Sequence, residues 1–149
     1  MARNLGLVVS RHATLGVVDG DRVVGDVARY PSSDDLVDEL RGIPTDELVG
    51  ALADELKALA EGEAVEVVGL AFPGIIRSGV IEESPNLQQL KGFPMESAMQ
   101  AALAHRGIQA KVTLSNDADV VASGIAAMHG KLDKLVRVWT LGDGIGFGR

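Results

Sequence analysis

The stretch Lys111-Val112-Thr113-Leu114-Ser115-Asn116-Asp117-Ala118-Asp119-Val120-Val121-Ala122 decides the fold. Its first residues, apolar and β-branched, read as a short strand over 111–114. From Asp117 onward small residues predominate, and a helix is expected over 117–129. Between the two lies a polar corner, with Asn116 and Asp117 beyond the carboxyl end of the strand. In open α/β sheets ligands sit at that end. An Asp there can accept a proton from a substrate hydroxyl, and the adjacent Asn can hold that hydroxyl. Asn and Asp are equally the preferred residues for capping a helix N-terminus. On this stretch alone, capping is the simpler account.

Working outward, the preceding strand is the continuous apolar run 65–72, which reads as buried on both faces, as in a parallel sheet. It is preceded by the clearest helix of the chain, 45–61, with Leu48, Leu52, Leu56 and Leu59 at helical spacing, Thr45 as its cap and Gly62 as its stop. Pro94 opens a second helix, with Met95, Met99 and Leu103 on its apolar stripe and Gly107 at its end. Three apolar runs, 5–10, 13–19 and 22–28, begin the chain, and Asp19-Gly20-Asp21 joins the last two as a hairpin. Residues 30–43 form an acidic surface connection with a helical turn expected at 35–41. A last strand is expected at 136–141, with Trp139 in the core, followed by a glycine-rich loop or hairpin at 142–149. The order is therefore three strands, then strands alternating with helices: an α/β architecture.

Composition narrows the function classes. The 149 residues are 46% hydrophobic, enough for one domain with a proper core or one lobe of something larger. There is no cysteine, which excludes disulfides and thiolate chemistry within the chain and suits a reducing, cytoplasmic setting. The net charge of −7 argues against a nucleic-acid partner, and no apolar run reaches membrane-spanning length. Residues 1–75 hold 6 Lys/Arg and 14 Asp/Glu, a balance of −8; residues 76–149 hold 8 and 7, a balance of +1. The half with the candidate loops is thus the less hostile to an anion.

Three more segments offer chemistry, each with a plainer alternative. Phe72-Pro73-Gly74 ends the buried strand; Gly74 would let a ligand approach the backbone, or simply terminates the strand. Ser84-Pro85-Asn86 presents a hydroxyl and an amide suited to a polyol, or is an ordinary turn. Gly142-Asp143-Gly144-Ile145-Gly146 follows a strand; its glycines could let backbone N–H groups cradle phosphate, or form a flexible hairpin turn. His105 and His129 lie near helix C-termini, where imidazolium suits the dipole, and no histidine pair has ligand spacing, so no metal site is expected.

Taken together, Phe72-Pro73-Gly74, Ser84-Pro85-Asn86-Leu87, Ser115-Asn116-Asp117-Ala118 and Thr140-Leu141-Gly142-Asp143-Gly144-Ile145-Gly146 resemble, in order and spacing, the ROK family. That family comprises glucokinase-like bacterial sugar kinases and sugar-responsive repressors. The resemblance is best from residue 67 to 149 and extends to the first third by strand pattern. It implies an actin-like, ribonuclease-H-like lobe, with a three-stranded antiparallel start extended by parallel strands and flanked by helices. It implies hexose binding by Gly74, Asn86 and Asn116, with Asp117 as the base that deprotonates the sugar hydroxyl for attack on ATP. Gly142, Asp143, Gly144 and Gly146 would be a phosphate loop, and Mg²⁺ would arrive with the nucleotide. Residues 1–135 would form the N-terminal lobe, and 136–149 the first strand and phosphate loop of a truncated second lobe. The implied partners are hexose and ATP, in a homo-oligomer.

The sequence departs from the family in three ways. The first phosphate loop, Asp-x-Gly-Gly-Thr, falls on Leu7-Val8-Val9-Ser10-Arg11, which lacks the Mg²⁺-facing carboxylate and both glycines. The second loop has Asp143 where Thr is usual. The second lobe, with its adenosine pocket and zinc site, is not in the chain, and there is no room for a helix-turn-helix before Leu5. A sugar kinase, represented by its N-terminal part and inactive alone, is the first expectation. The alternative is a degenerate, non-catalytic member that binds sugar or partners in a regulatory role.

Overall fold

Strand β1 (Arg3–Val9) is the central strand of a five-stranded sheet. In the computed structural model, which describes residues 2–32, 39–141 and 145–149, β1 pairs antiparallel with β2 (Ala13–Asp19) on one side. β2 pairs antiparallel with β3 (Arg22–Tyr30) through the turn at Gly20. On its other side β1 pairs in parallel with β4 (Val65–Phe72), which pairs in parallel with β7 (Lys111–Asn116). The order is β3-β2-β1-β4-β7. The expected antiparallel start extended by parallel strands is what the chain adopts.

Register explains which side chains are buried. Leu5 and Leu7 sit opposite Val17 and Leu15 on β2, and opposite Val68 and Leu70 on β4. Alternation then brings Val9 and Phe72 to the same face. Helix α1 (Thr45–Ala60) lays Leu48, Leu52 and Leu56 on that face, and α2 (Met95–His105) adds Met95, Met99 and Leu103. Each such side chain contributes roughly 1.5–3 kcal/mol by leaving water. Arg106, just past α2, clamps the two helices: its Nε donates to Asp54 Oδ1 at 2.7 Å and its Nη2 to the Gly50 carbonyl at 3.1 Å. The hydrogen bond from Arg106 holds the Asp54 carboxyl below its ordinary pKa.

Helix α3 (Asp117–Met128) buries Ala118, Ala122 and Ala126 and packs beside β4 and β7. Two small hairpins complete the described chain. β5 (Ile75–Arg77) and β6 (Val80–Glu83) follow β4. β8 (Val138–Leu141) and β9 (Ile145–Gly148) follow α3 and lie against it without joining the five-stranded sheet.

Two local expectations need correction. Thr45 caps nothing; it is the first residue of α1, and its hydroxyl donates to the Gln89 carbonyl at 2.9 Å. Trp139 is not in the core. It is 66% exposed and packs on Phe147, with ring centroids 5.0 Å apart and the ring planes tilted by 56°. The helical turn expected at 35–41 appears as a 3₁₀ turn, Glu39–Gly42; residues 33–38 lie outside the described residues.

Candidate functional site

Three loops leave the carboxyl end of the parallel strands, after Val9, Phe72 and Asn116. The register Phe72↔Asn116 sets the second and third side by side. Asn116 uses both ends of its amide there. Its Oδ1 accepts from the N–H groups of Ala118 and Asp119, at 2.9 and 3.3 Å, and so caps α3. Its Nδ2 donates to the Gly74 carbonyl at 2.7 Å. The capping account of Asn116 is therefore correct, and the same side chain also ties the helix start to the neighbouring loop.

Gly74 is required by the protein itself. Its φ is +122°, and a side chain there would collide with the Glu83 carbonyl at the end of β6. The preceding carbonyl, of Pro73, accepts from the Ser84 hydroxyl at 2.8 Å, and Ser84 is buried. The Pro73 and Gly74 carbonyls are thus each held by a side chain from another segment. Ser84 is thereby withdrawn from solvent: its hydroxyl, read from the sequence as a polyol contact, holds the loop instead. Asn86 remains exposed in a turn closed by the Leu87 N–H on the Ser84 carbonyl at 3.2 Å.

Asp117 is the first residue of α3, directly after this clamp. Its Oδ1 accepts from the Ala118 N–H at 2.9 Å, which fixes the carboxylate against the helix start. Its other oxygen makes no hydrogen bond among the described residues and is available to a ligand. A carboxylate held this way, next to a clamped amide, can accept a proton from a hydroxyl placed over the loop.

The loop after β1 differs. The Ser10 N–H donates to the His12 carbonyl at 2.9 Å, which closes a tight turn without glycine. Arg29 of β3 places Nη2 3.0 Å from Nδ1 and 3.2 Å from Nε2 of the His12 ring. Leu7, where the resemblance puts the Mg²⁺-facing carboxylate, is 1% exposed and packed in the core. Among the described residues no group of three or more His, Asp or Glu is placed to hold a metal ion.

Of the glycine-rich segment, Gly142, Asp143 and Gly144 lie outside the described residues. Gly146 sits within β9, where a side chain would run into Thr140 and Ala118; Gly148 comes so close that one would collide with the Ala118 backbone. These two glycines let the hairpin approach the start of α3. Arg149 N–H reaches Asp119 Oδ1 there at 3.2 Å.

The ROK family model matches residues 13–149. The chain belongs to the ROK family. Among solved structures, an inorganic polyphosphate/ATP-glucomannokinase from Arthrobacter sp. strain KM is 26% identical, with a TM-score of 0.73 over 99% of this chain and 57% of that one. A ROK glucokinase from Streptomyces griseus, in complex with glucose and AMPPNP, is 20% identical, with a TM-score of 0.71 over 98% and 43%. The ROK hexokinase from Thermus thermophilus is 24% identical, with a TM-score of 0.63 over 98% and 46%. The last two establish the shared actin-like lobe. No curated protein sequence matches the chain. The chain spans just over half the length of the glucomannokinase it resembles. No helix among the described residues is long and apolar enough to cross a membrane.

Sequence reasoning missed two supports of this ROK site. Ser84 bonds Pro73 across eleven positions. Glu96 of α2 accepts the Leu114 N–H at 3.0 Å on the open edge of β7. The acid in the first turn of α2 was the available signal for the second.

Proposed function

We propose that this ROK chain provides the sugar-facing corner of a kinase that transfers phosphate from ATP to a hexose hydroxyl. The observation that carries the reading is the Asn116–Gly74 clamp with Asp117 beside it. Asp117 accepts the hydroxyl proton as the sugar oxygen attacks phosphorus; the second Nδ2 hydrogen of Asn116 and the exposed amide of Asn86 hold the ring. Phosphoryl transfer asks mainly for alignment and charge neutralisation, so a rigid corner is the appropriate device. The named hexose and phosphate-donor chemistry of the glucomannokinase neighbour supports these ligand classes.

Residues 1–135 form the N-terminal lobe in this reading, and 136–149 begin a second lobe whose phosphate loop contains Gly142, Asp143 and Gly144. Gly146 contributes through hairpin packing. The separation of β8–β9 from the main sheet supports that boundary. So does the exposed face of the hairpin, where Trp139, Leu141, Ile145 and Phe147 offer apolar surface for further structure. The same surface supports self-association, and the absence of cysteine suits a cytoplasmic setting. Mg²⁺ does not fit at β1, because Leu7 offers no oxygen ligand and is enclosed by the core.

The test is titration of the labelled chain with glucose. Amide resonances of Gly74, Asn116, Asp117 and Ala118 are expected to move together, and Asn116→Ala to abolish the response. Absence of any glucose-dependent shift in the wild type sinks the reading. A second reading, a non-catalytic member that binds sugar, is favoured by one observation: the buried Leu7 in place of a carboxylate. Glucose binding with no hexose-dependent ATP turnover in any longer form of the protein would select it.

A further inference from the structure

The loop that carries Asn86 is anchored at both ends. At its start the buried Ser84 donates to the Pro73 carbonyl, and the Leu87 N–H returns to the Ser84 carbonyl at 3.2 Å. At its end lies the 3₁₀ turn Gln88–Leu90, in which Leu90 is buried, as is Leu87 before it. Pro85, Asn86 and Gln88 are exposed. Gln89 is half-buried and turns its side chain to a distant segment. Its Nε2 donates to the Leu40 carbonyl at 2.7 Å and to the Ile43 carbonyl at 3.4 Å. In the other direction the Gln89 carbonyl accepts the Thr45 hydroxyl at 2.9 Å. One residue is thus tied to the turn Glu39–Gly42, to the residue after it and to the first residue of α1. Both N–H donors of its amide are engaged.

The plainer account is that Gln89 only satisfies carbonyls at the approach to α1. Two observations point further. The Leu40 carbonyl already accepts the Ile43 N–H at 3.4 Å, so it has a partner without Gln89. And the ties run both ways across 44 to 49 positions and meet on a residue three places from Asn86. A loop fixed only at Ser84 can pivot there; fixed also at Gln89, it holds the residues between in one arrangement. A contact ordered before binding costs no ordering when the ligand arrives. We infer that Gln89 is a positioning residue for the sugar corner: with Thr45 it fixes the far end of the loop, so that the exposed amide of Asn86 is presented to the hexose in one place. The inference rests on the sugar reading of Asn86 and adds that affinity depends on a residue acting only through it.

The experiment is glucose titration of the isotope-labelled chain, read at the backbone amides and at the side-chain amides of Asn86 and Asn116. Gln89→Met keeps the length of the side chain and removes its donors. It should weaken glucose binding roughly three- to tenfold, the cost of ordering one or two loose side chains. Thr45→Val removes the tie in the other direction and should act with the same sign, so the outcome does not hang on one variant; thermal melts confirm that both fold. Before sugar is added, the Asn86 side-chain resonances should move in both variants, while those of Asn116, clamped to Gly74, hold. The Leu87 and Leu90 N–H groups, whose bonds close the turn, should exchange faster. Asn86→Ala weakens binding by itself, and adding Gln89→Met to it should cost nothing more. A purely structural Gln89 predicts a lower melting temperature with unchanged affinity, or the same proportional loss in both backgrounds. Either result overturns the inference, as do unmoved Asn86 resonances. If the wild type shows no glucose response, the sugar reading fails, and the sugar-free resonances and exchange alone judge the positioning of Asn86: movement retains the tie to Gln89, and none refutes it.

Discussion

Two corners of one sheet end show different histories of constraint. At β4–β7, two carbonyls are held by side chains from other segments, Pro73 by Ser84 and Gly74 by Asn116, and Asn116 also caps the α3 start next to it. At β1–β2 the backbone closes on itself through Ser10 and His12, and Ser10 and Arg11 are exposed. The first corner is rigid because several parts of the fold depend on it. The second is free to change because only a short turn depends on it. The departures from the family's first loop reach the core at two positions, Leu7 and Val9.

The largest effect should come from reversing the change at Leu7. Leu7→Asp restores the acid of the family's first loop but places it among Leu5, Leu15 and Leu70. It loses the leucine packing and buries a carboxylate without a partner, at a cost on the order of 5 kcal/mol. A urea melt should show an unfolded or barely stable chain. A wild-type midpoint would mean that the β1 end opens to solvent, and the contrast between the corners would disappear.

Asp117→Asn comes next. In whichever form of the protein phosphorylates hexose, turnover should fall by roughly 10²–10⁴ while hexose affinity changes little. The amide keeps the shape and the acceptor for Ala118 N–H but cannot take the proton. Stability should move little, since Asn suits a helix start. Unchanged turnover in a coupled assay would remove Asp117 from the chemistry and leave it a helix-start residue.

Gly74→Ala should destabilise by about 3 kcal/mol, through the methyl meeting the Glu83 carbonyl and the strained positive φ. The measurement is again the denaturation midpoint, with Gly92→Ala as the partner variant. Gly92 also has a positive φ but open space around it, so only the backbone strain remains. Equal losses at the two sites would show that the clamp contributes no steric requirement of its own.

Much of this was legible in the sequence, and what was not has a common cause. The succession of elements along the chain followed from local patterns: uninterrupted apolar runs at β1 and β4, leucines at helical spacing in α1, and the Asn116-Asp117 corner where β7 ends. The resemblance was legible because four short motifs kept their spacing. The missed features are pairings between segments far apart in sequence. Thr45 looked like a cap because Gln89, which accepts its hydroxyl, is 44 positions away. Ser84 looked available because nothing in its own turn announced Pro73. Trp139 looked like core because an apolar strand has two faces, and the sequence does not say which one the chain covers.

The smallest effect is the most discriminating, because it separates the two duties of Asn116. Asn116→Asp keeps an oxygen to accept from Ala118 and Asp119, so the cap on α3 survives. It removes the donor to Gly74 and sets a carboxylate oxygen against that carbonyl, at a separation of 2.7 Å in the native pair. Losing one hydrogen bond of this kind costs about 1 kcal/mol. Asn116→Ala removes cap and tie together and should cost about 2 kcal/mol. The Asp variant should regain stability as pH falls toward about 4, as the protonated acid again donates to Gly74, with no further gain below that. The sign is that of a carboxyl whose charged form faces an acceptor in the fold: its native pKa is raised, and stability returns below the raised value. Amide shifts at Gly74 and Ile75 should follow the same titration. If the Ala variant loses stability while the Asp variant loses none and shows no acid recovery, Asn116 acts only as a cap. The rigidity of this corner would then have to come from Ser84 and the β5–β6 hairpin.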